Sequence, residues 1–288
     1  MLVIHDPRCA DYGSSMRPEQ PSRVVNTASY LLDAFPGWTW ETPGPEARDE
    51  MLLLAHTREH VSRLAKPRDF DADTPYFPEI GQHARRGVAS AVKAAGRAFR
   101  DRRPAFSLMR PPGHHATAAR AMGFCYPNQV AIAALAARRD LGAQKVAIWD
   151  FDAHHGNGTE DILHSREGFL FCSVHQSPCY PGTGLRTVEN CHNWPVAPHA
   201  PRHIHMAALL QSFEAVMAFK PDLVLVSAGF DAYAGDPITE MSLEIGDFAT
   251  LGKWLRQSGL PAAAALEGGY SPDLPKLVGA FLEAWEGP

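Results

Sequence analysis

The 288-residue sequence predicts an α/β fold: a mostly parallel sheet with helices packed on both faces. Two observations lead there. Short apolar runs alternate with longer stretches of helical periodicity, the signature of strand–helix–strand units. Five of the apolar runs also end in polar, glycine-bearing segments, and parallel sheets gather their ligands at the carboxyl ends of their strands.

The apolar runs Leu2–Ile4, Ala105–Met109, Lys145–Trp149, Phe169–Val174, Leu223–Ser227 and Ala262–Leu266 read as buried strands. The segments Gln82–Arg100, Asn128–Arg139, His203–Phe219, Ile245–Gln257 and Pro272–Trp285 read as helices between them. No repeat, low-complexity tract or long linker interrupts the pattern, so residues 1–288 are expected to form one domain. An apolar fraction of 45% is ordinary for a globular core.

The totals exclude several classes. A net charge of −5, with both signs spread along the chain, gives no basic footprint for direct nucleic-acid binding. Five cysteines (Cys9, Cys125, Cys172, Cys179 and Cys191) are odd in number and irregular in spacing, which argues against a disulfide framework and a zinc ribbon. The apolar run at the N-terminus is too short for a signal peptide, and no stretch of about 20 apolar residues suits a membrane span. A soluble, cytoplasmic protein is expected. Its oligomeric state is left open.

The strand ends hold the chemistry. Asp150, Asp152 and His154 alternate, so in an extended chain their side chains point the same way. Asp152 and His154 then suit one metal ion, with Asp150 close behind. A catalytic zinc site takes three protein ligands and keeps a position open. Asp231, after an apolar strand and between Gly229 and Gly235, reads as the third ligand or as a turn or capping residue. The ligand rules admit iron as well as zinc. His114 and His115 follow Pro111, Pro112 and Gly113. Adjacent histidines in a tight loop suit acid–base work beside a metal better than ligation of one ion; ordinary turn residues are the other reading. Each needs a partner on its second ring nitrogen, and Asp150 and Asn157 are the candidates. Tyr270, after Gly268 and Gly269, reads either as a phenol able to donate to a developing oxyanion or as a packed surface tyrosine. His155 and His175 read as structural hydrogen-bonding groups near the site. The remaining nine histidines follow no metal spacing, and His203 and His205 lie near a helix start.

Taken together these segments resemble the histone deacetylase superfamily, which includes acetoin-utilisation proteins and acetylpolyamine amidohydrolases. The matching pieces are Arg110–Ala116, Gly123–Asn128, Asp150–Thr159, Pro181–Gly184, Ala228–Asp231 and Glu267–Tyr270, in family order. Arg17–Arg23 and His56–Val61 look like earlier family segments. The resemblance implies an arginase/deacetylase-like fold with about eight strands, and one zinc ion on Asp152, His154 and Asp231. It implies His115 as general base and then acid, His114 paired to Asp150 as an electrostatic helper, and Tyr270 as the group that polarises an amide carbonyl. Gly123, Phe124 and Tyr180 would line a narrow tunnel for an acetylated amine, with Ile238 at its gate and Asp73 at its rim. Relatives also hold a structural potassium ion near the Asp150–His154 backbone, with Ser173 close by.

The implied activity is removal of acetyl or short acyl groups from amines, acetyl-lysine side chains of proteins or peptides first, acetylpolyamines or other small amines as the alternative. An inactive metal-binding protein is the alternative of another class. The extra Asp and His ligands of two-manganese arginase relatives are not found. Asn157 stands where some relatives have Asp, as in the class II branch; an amide takes no proton and tunes His115 less strongly. Polyamine-specific relatives place Glu where Ile238 stands, although Glu240 lies close by. The Ala65–Gln82 segment has no room for a long site-closing insertion.

Overall fold

The computed structural model describes residues 1–287. Its eight strands are β1 (Leu2–Ile4), β2 (Thr39–Glu41), β3 (Ala105–Ser107), β4 (Val146–Asp150), β5 (Phe169–Gln176), β6 (Cys191–Val196), β7 (Leu223–Ala228) and β8 (Ala262–Leu266). They make one sheet in the order β2-β1-β3-β8-β7-β4-β5-β6, and every neighbouring pair is parallel.

The helices are α1 (Ser22–Ala34), α2 (Asp49–Leu52), α3 (Arg58–Arg63), α4 (Ile80–Asp101), α5 (Gln129–Ala136), α6 (Asn157–Leu163), α7 (Arg202–Phe219), α8 (Ile245–Ser258) and α9 (Leu274–Glu286). Alternation along the strands sorts the core into two layers. Val3, Phe106, Ala147, Trp149, Val224 and Val226 face α1, α7, α8 and α9. Leu2, Ile4, Val146, Ile148, Leu223 and Leu225 face α4, α5 and α6. The strands are apolar on both sides because both sides are covered. In the first layer, fully buried Trp149 donates its indole N–H to Ser212 Oγ at 2.9 Å. On the other side Ala263 and Ala265 of β8 pack in one layer with Ala91, Ala94 and Ala95 of α4, so the helix sits close to the sheet. Among the described residues, no helix is long and apolar enough to cross a membrane.

All six expected strands and all five expected helices are present, with ends shifted by a residue or a few. Helix α5 ends earlier than its pattern: Ala137–Leu141 forms a π turn, stopped by Gly142 at φ 81°. Two strands were not anticipated. β2 has three residues with an exposed or half-buried face, and β6 carries Pro195 together with polar His192 and Asn193. Both are edge strands, where a proline or a polar face is tolerated and the apolar signal fades.

Candidate active site

Five adjacent strands, β3, β8, β7, β4 and β5, deliver the polar segments to one end of the sheet. The close approach of their loops rests on buried charge. Arg110, fully buried just past β3, donates to Glu19 Oε2 at 2.7 Å and to the carbonyls of Cys9 at 2.9 Å and Tyr12 at 3.3 Å. Glu19 also faces Arg23, at 3.4 Å. Burial alone would raise the Glu19 carboxyl, but Arg110 overrides it and holds it below the ordinary range. Arg23 donates to the carbonyls of Gly269, at 2.7 Å, and Glu267, and its guanidinium lies 4.7 Å from the centre of the Tyr270 ring. The first helix is thereby tied to the loop that presents Tyr270.

At the end of β4 the chain turns so that Asp152 and His154 meet Asp231 from β7. Their ligating atoms all lie within 4.8 Å of one another, and all three residues are buried. His154 Nδ1 is 3.2 Å from Asp152 Oδ1 and 2.9 Å from Asp231 Oδ2. The outer oxygens are held by backbone: Gly268 N–H donates to Asp152 Oδ2 and Ala153 N–H to Asp231 Oδ1, each at 2.7 Å. No Cβ fits beside them. One built on Gly229 would come within 2.1 Å of Asp152 Oδ2, and one on Gly268 within 2.3 Å of Asp231 Oδ2.

This donor set fits a divalent cation. One imidazole proton cannot serve two carboxylates equally, whereas an ion can take all three donors and leave a fourth position open. Burial and the neighbouring Asp152 push the Asp231 carboxyl upward, a repulsion that a cation would relieve. The nitrogen-and-oxygen set suits zinc and admits iron.

The tandem histidines divide into two states. His114 Nδ1 is 3.1 Å from Asp150 Oδ2, and its Nε2 is 3.8 Å from Asp152 Oδ1. Burial would lower its pKa, but Asp152 and Asp150 together raise it to about 10. His115 goes the other way: burial first, then charge on His114 and His154, holds it well below the usual value. His115 Nδ1–H donates to Asn157 Oδ1 at 2.8 Å, the tautomer that leaves a lone pair on Nε2. The two rings sit 4.0 Å apart, and their surroundings push their pKa values in opposite directions. The turn before them is fixed by Glu267, whose Oε2 accepts from the N–H groups of Gly113 at 2.6 Å and His114 at 3.1 Å.

A cavity of about 250 Å³ opens over this floor. Asp73, Gly123, Phe124, Tyr180 and Ile238 line it together with His115, His154 and Tyr270. Phe124 and Tyr270 meet edge to face at 5.9 Å, and Tyr180 stands perpendicular to His115 at 5.1 Å. Asp73 is exposed, at the rim. The Glu240 backbone N–H donates to Gln176 Oε1 at 2.8 Å and its carboxylate lies 3.5 Å from His199 Nε2; it is not part of the lining. Ser173 pairs with Asp150 in the sheet register and lies 2.9 Å from His175 Nδ1. His155 bonds Thr183 Oγ1 at 2.8 Å, and His175 bonds the Gly184 carbonyl at 3.0 Å.

Sequence reasoning did not single out Pro18 and Cys179 of the lining, nor Glu19, Arg23, Glu267 and Asp236 beneath it. Pro18, Glu19 and Arg23 fell within a segment marked by resemblance alone. For Glu267, the signal was an acidic residue directly after an all-apolar strand.

A histone deacetylase domain model matches residues 17–285. The chain is 35% identical, over an alignment of 305 positions, to a probable deacetylase of Methanothermobacter thermautotrophicus, covering 100% of this chain and 91% of that one. It is 36% identical over 212 residues to the acetylpolyamine amidohydrolase of Mycoplana ramosa, covering 69% of this chain and 61% of that one. Among solved structures, the HDA15 HD domain superposes with a TM-score of 0.88 at 30% identity, covering 99% of this chain and 88% of the other. An acetylpolyamine aminohydrolase from Burkholderia pseudomallei superposes with a TM-score of 0.86 at 25% identity, covering 100% and 99%. With one family model running through almost all of the sequence, and the same parallel eight-stranded architecture in these neighbours, the chain belongs to the histone deacetylase family of amidohydrolases.

Proposed function

We propose that this chain, acting as a single catalytic domain, is a zinc-dependent amidohydrolase that releases acetate from N-acetylated amines, acetyl-lysine side chains foremost. Asp152, His154 and Asp231 would hold the ion. Zinc bound there supplies Lewis acidity, making water acidic enough to deprotonate at neutral pH and polarising the amide carbonyl.

The chain's own residues do the rest. His115 Nε2 takes a proton from the attacking water, because Asn157 fixes the other ring nitrogen as a donor. The Tyr270 hydroxyl donates to the carbonyl oxygen as negative charge grows on it. His115 then passes its proton to the departing amine nitrogen. His114, bound to Asp150 at 3.1 Å, would add positive charge beside the transition state. Gly123, Phe124 and Tyr180 grip the aliphatic stem of the substrate and keep bulk water away. The observation that carries this reading is the placement of His115, bound to Asn157 through Nδ1, and His114, bound to Asp150, beside the Asp152–His154–Asp231 cluster at the floor of a lined cavity.

A smaller substrate, an acetylated diamine or polyamine, is the second reading, favoured by the relative named for that activity. Apolar Ile238 in the lining and Glu240 turned toward His199 weigh against it, since neither offers a charge to a distal ammonium. The test is turnover of acetyl-lysine peptides and monoacetylated diamines by zinc-loaded and iron-loaded protein. Hydrolysis of neither substrate with either metal would leave a metal-binding protein without catalysis.

A further inference from the structure

We propose that Asp236 is a positioning residue for Tyr270, fixing the tyrosine's backbone against the loop that carries Ile238. The proposal rests on the reading of Tyr270 as the donor to the carbonyl oxygen. Tyr270 follows two glycines, and Gly269 has a φ of 114°, so the loop is intrinsically free to turn. Donation to an oxyanion needs the phenol in one place, and a displacement of about 1 Å can cost as much as a hundredfold in rate. Something must take up that freedom.

Other tethers hold the residues before Tyr270. Arg23 holds the carbonyls of Glu267 and Gly269, Asp152 holds the Gly268 N–H, and the Phe230 N–H donates to the Gly268 carbonyl at 3.1 Å. The amide of Tyr270 itself goes to Asp236, whose Oδ2 accepts it at 2.7 Å. The other oxygen, Oδ1, accepts the Ile238 N–H at 3.1 Å. One carboxylate therefore joins the loops after β7 and β8, which carry two walls of the cavity.

Asp236 is buried, and among the described residues its oxygens form no ion pair, Arg23 acting on it only from longer range. Both of its oxygens accept amide N–H groups. A buried carboxylate without a cation is costly, and an ordinary turn is capped as well by Ser or Asn. Neither of those accepts on two separate oxygens: Asn offers one acceptor and one donor, and Ser a single oxygen. The double acceptance is what the carboxylate adds.

The test uses the zinc-loaded full chain and an acetyl-lysine peptide. Asp236→Asn should lower kcat about 10–100-fold. KM should stay within about threefold, with zinc content unchanged. Hydrogen exchange at the Tyr270 amide should speed up by about tenfold or more, a readout independent of turnover. In a Tyr270→Phe background, Asp236→Asn should cost less than about twofold more, because the two residues act through one contact. If Asp236→Asn does not fold, Asp236→Ser, which keeps one acceptor, is read by the same measurements. Wild-type kcat in the variant, or a full multiplicative loss in the double variant, overturns the proposal. A crippled Tyr270→Phe beside an unaffected Asp236→Asn overturns only this inference; full activity in Tyr270→Phe removes the reading beneath it as well.

Discussion

Replacing Gly268 by Ala adds a single methyl group at the back of the ligand cluster. Gly268 has no positive φ, so alanine brings no backbone strain there; the effect is one of space. The new Cβ would sit 2.3 Å from Asp231 Oδ2 and 2.6 Å from Asp152 Oδ2, where ordinary contact begins at 3.4 Å. Both oxygens, or the Gly268 backbone that holds one of them, must give by about 1 Å, several times the roughly 0.2 Å tolerance of a zinc–ligand distance. Both carboxylates are buried and anchored by backbone N–H groups, so neither has free space to retreat into. We expect zinc affinity to fall about 10–100-fold, the range seen when groups that orient metal ligands are disturbed. Elemental analysis after dialysis against a graded chelator buffer measures it. Gly246→Ala is the control: nothing lies within 4 Å of its Cβ position, in the first turn of α8. Equal zinc affinity in Gly268→Ala and wild type would refute the reasoning, since it would mean the two carboxylates are not held where they are described.

Three further outcomes are expected. Tyr270→Phe should lose about 10²–10³ in kcat while keeping its zinc, and steady-state kinetics paired with metal analysis will show whether those effects separate. Ile238→Glu should raise the preference for a monoacetylated diamine over an acetyl-lysine peptide roughly fivefold in kcat/KM, by giving the distal ammonium a carboxylate; an unchanged ratio counts against Ile238 as a specificity position. His205 is fully buried in α7 with neither ring nitrogen partnered, and burial lowers its pKa from 6.5 to about 4. The unfolded chain therefore binds this proton first, and stability drains away as pH falls from 6.5 toward 4. His205→Leu should stabilise the fold by about 1–2 kcal/mol at pH 8. At pH 5 the gain should be larger by about 2 kcal/mol. Urea titrations at the two pH values decide it, and equal gains would show that His205 does not carry the linkage.

Much of this molecule is legible before any coordinates. The strands that bear Asp152, His154, Asp231 and Tyr270 are fully buried, so their apolar runs are unbroken and the polar residues at their ends stand out. Spacing by two placed Asp152 and His154 together because that relation is local. What stayed hidden depends on pairing across the sequence. No local pattern says that β3 lies beside β8, or that Arg23 reaches a carbonyl 246 positions away. Asp236 looks like a turn residue in Gly235-Asp236-Pro237, which it also is; only the fold shows what its second oxygen accepts. β2 and β6 escaped because edge strands need no continuous apolar run.

The sheet order has a consequence for how this protein fails. The strands that carry chemistry are five neighbours in the middle, with β2 and β1 on one flank and β6 on the other. Edge strands open first, in local fluctuations well below the free energy of complete unfolding. Such fraying here begins at strands that contribute no candidate ligand, acid or base. The floor of the candidate site is thus tied to the central strands, and loss of the site by heat or denaturant should track the collapse of the central sheet rather than precede it.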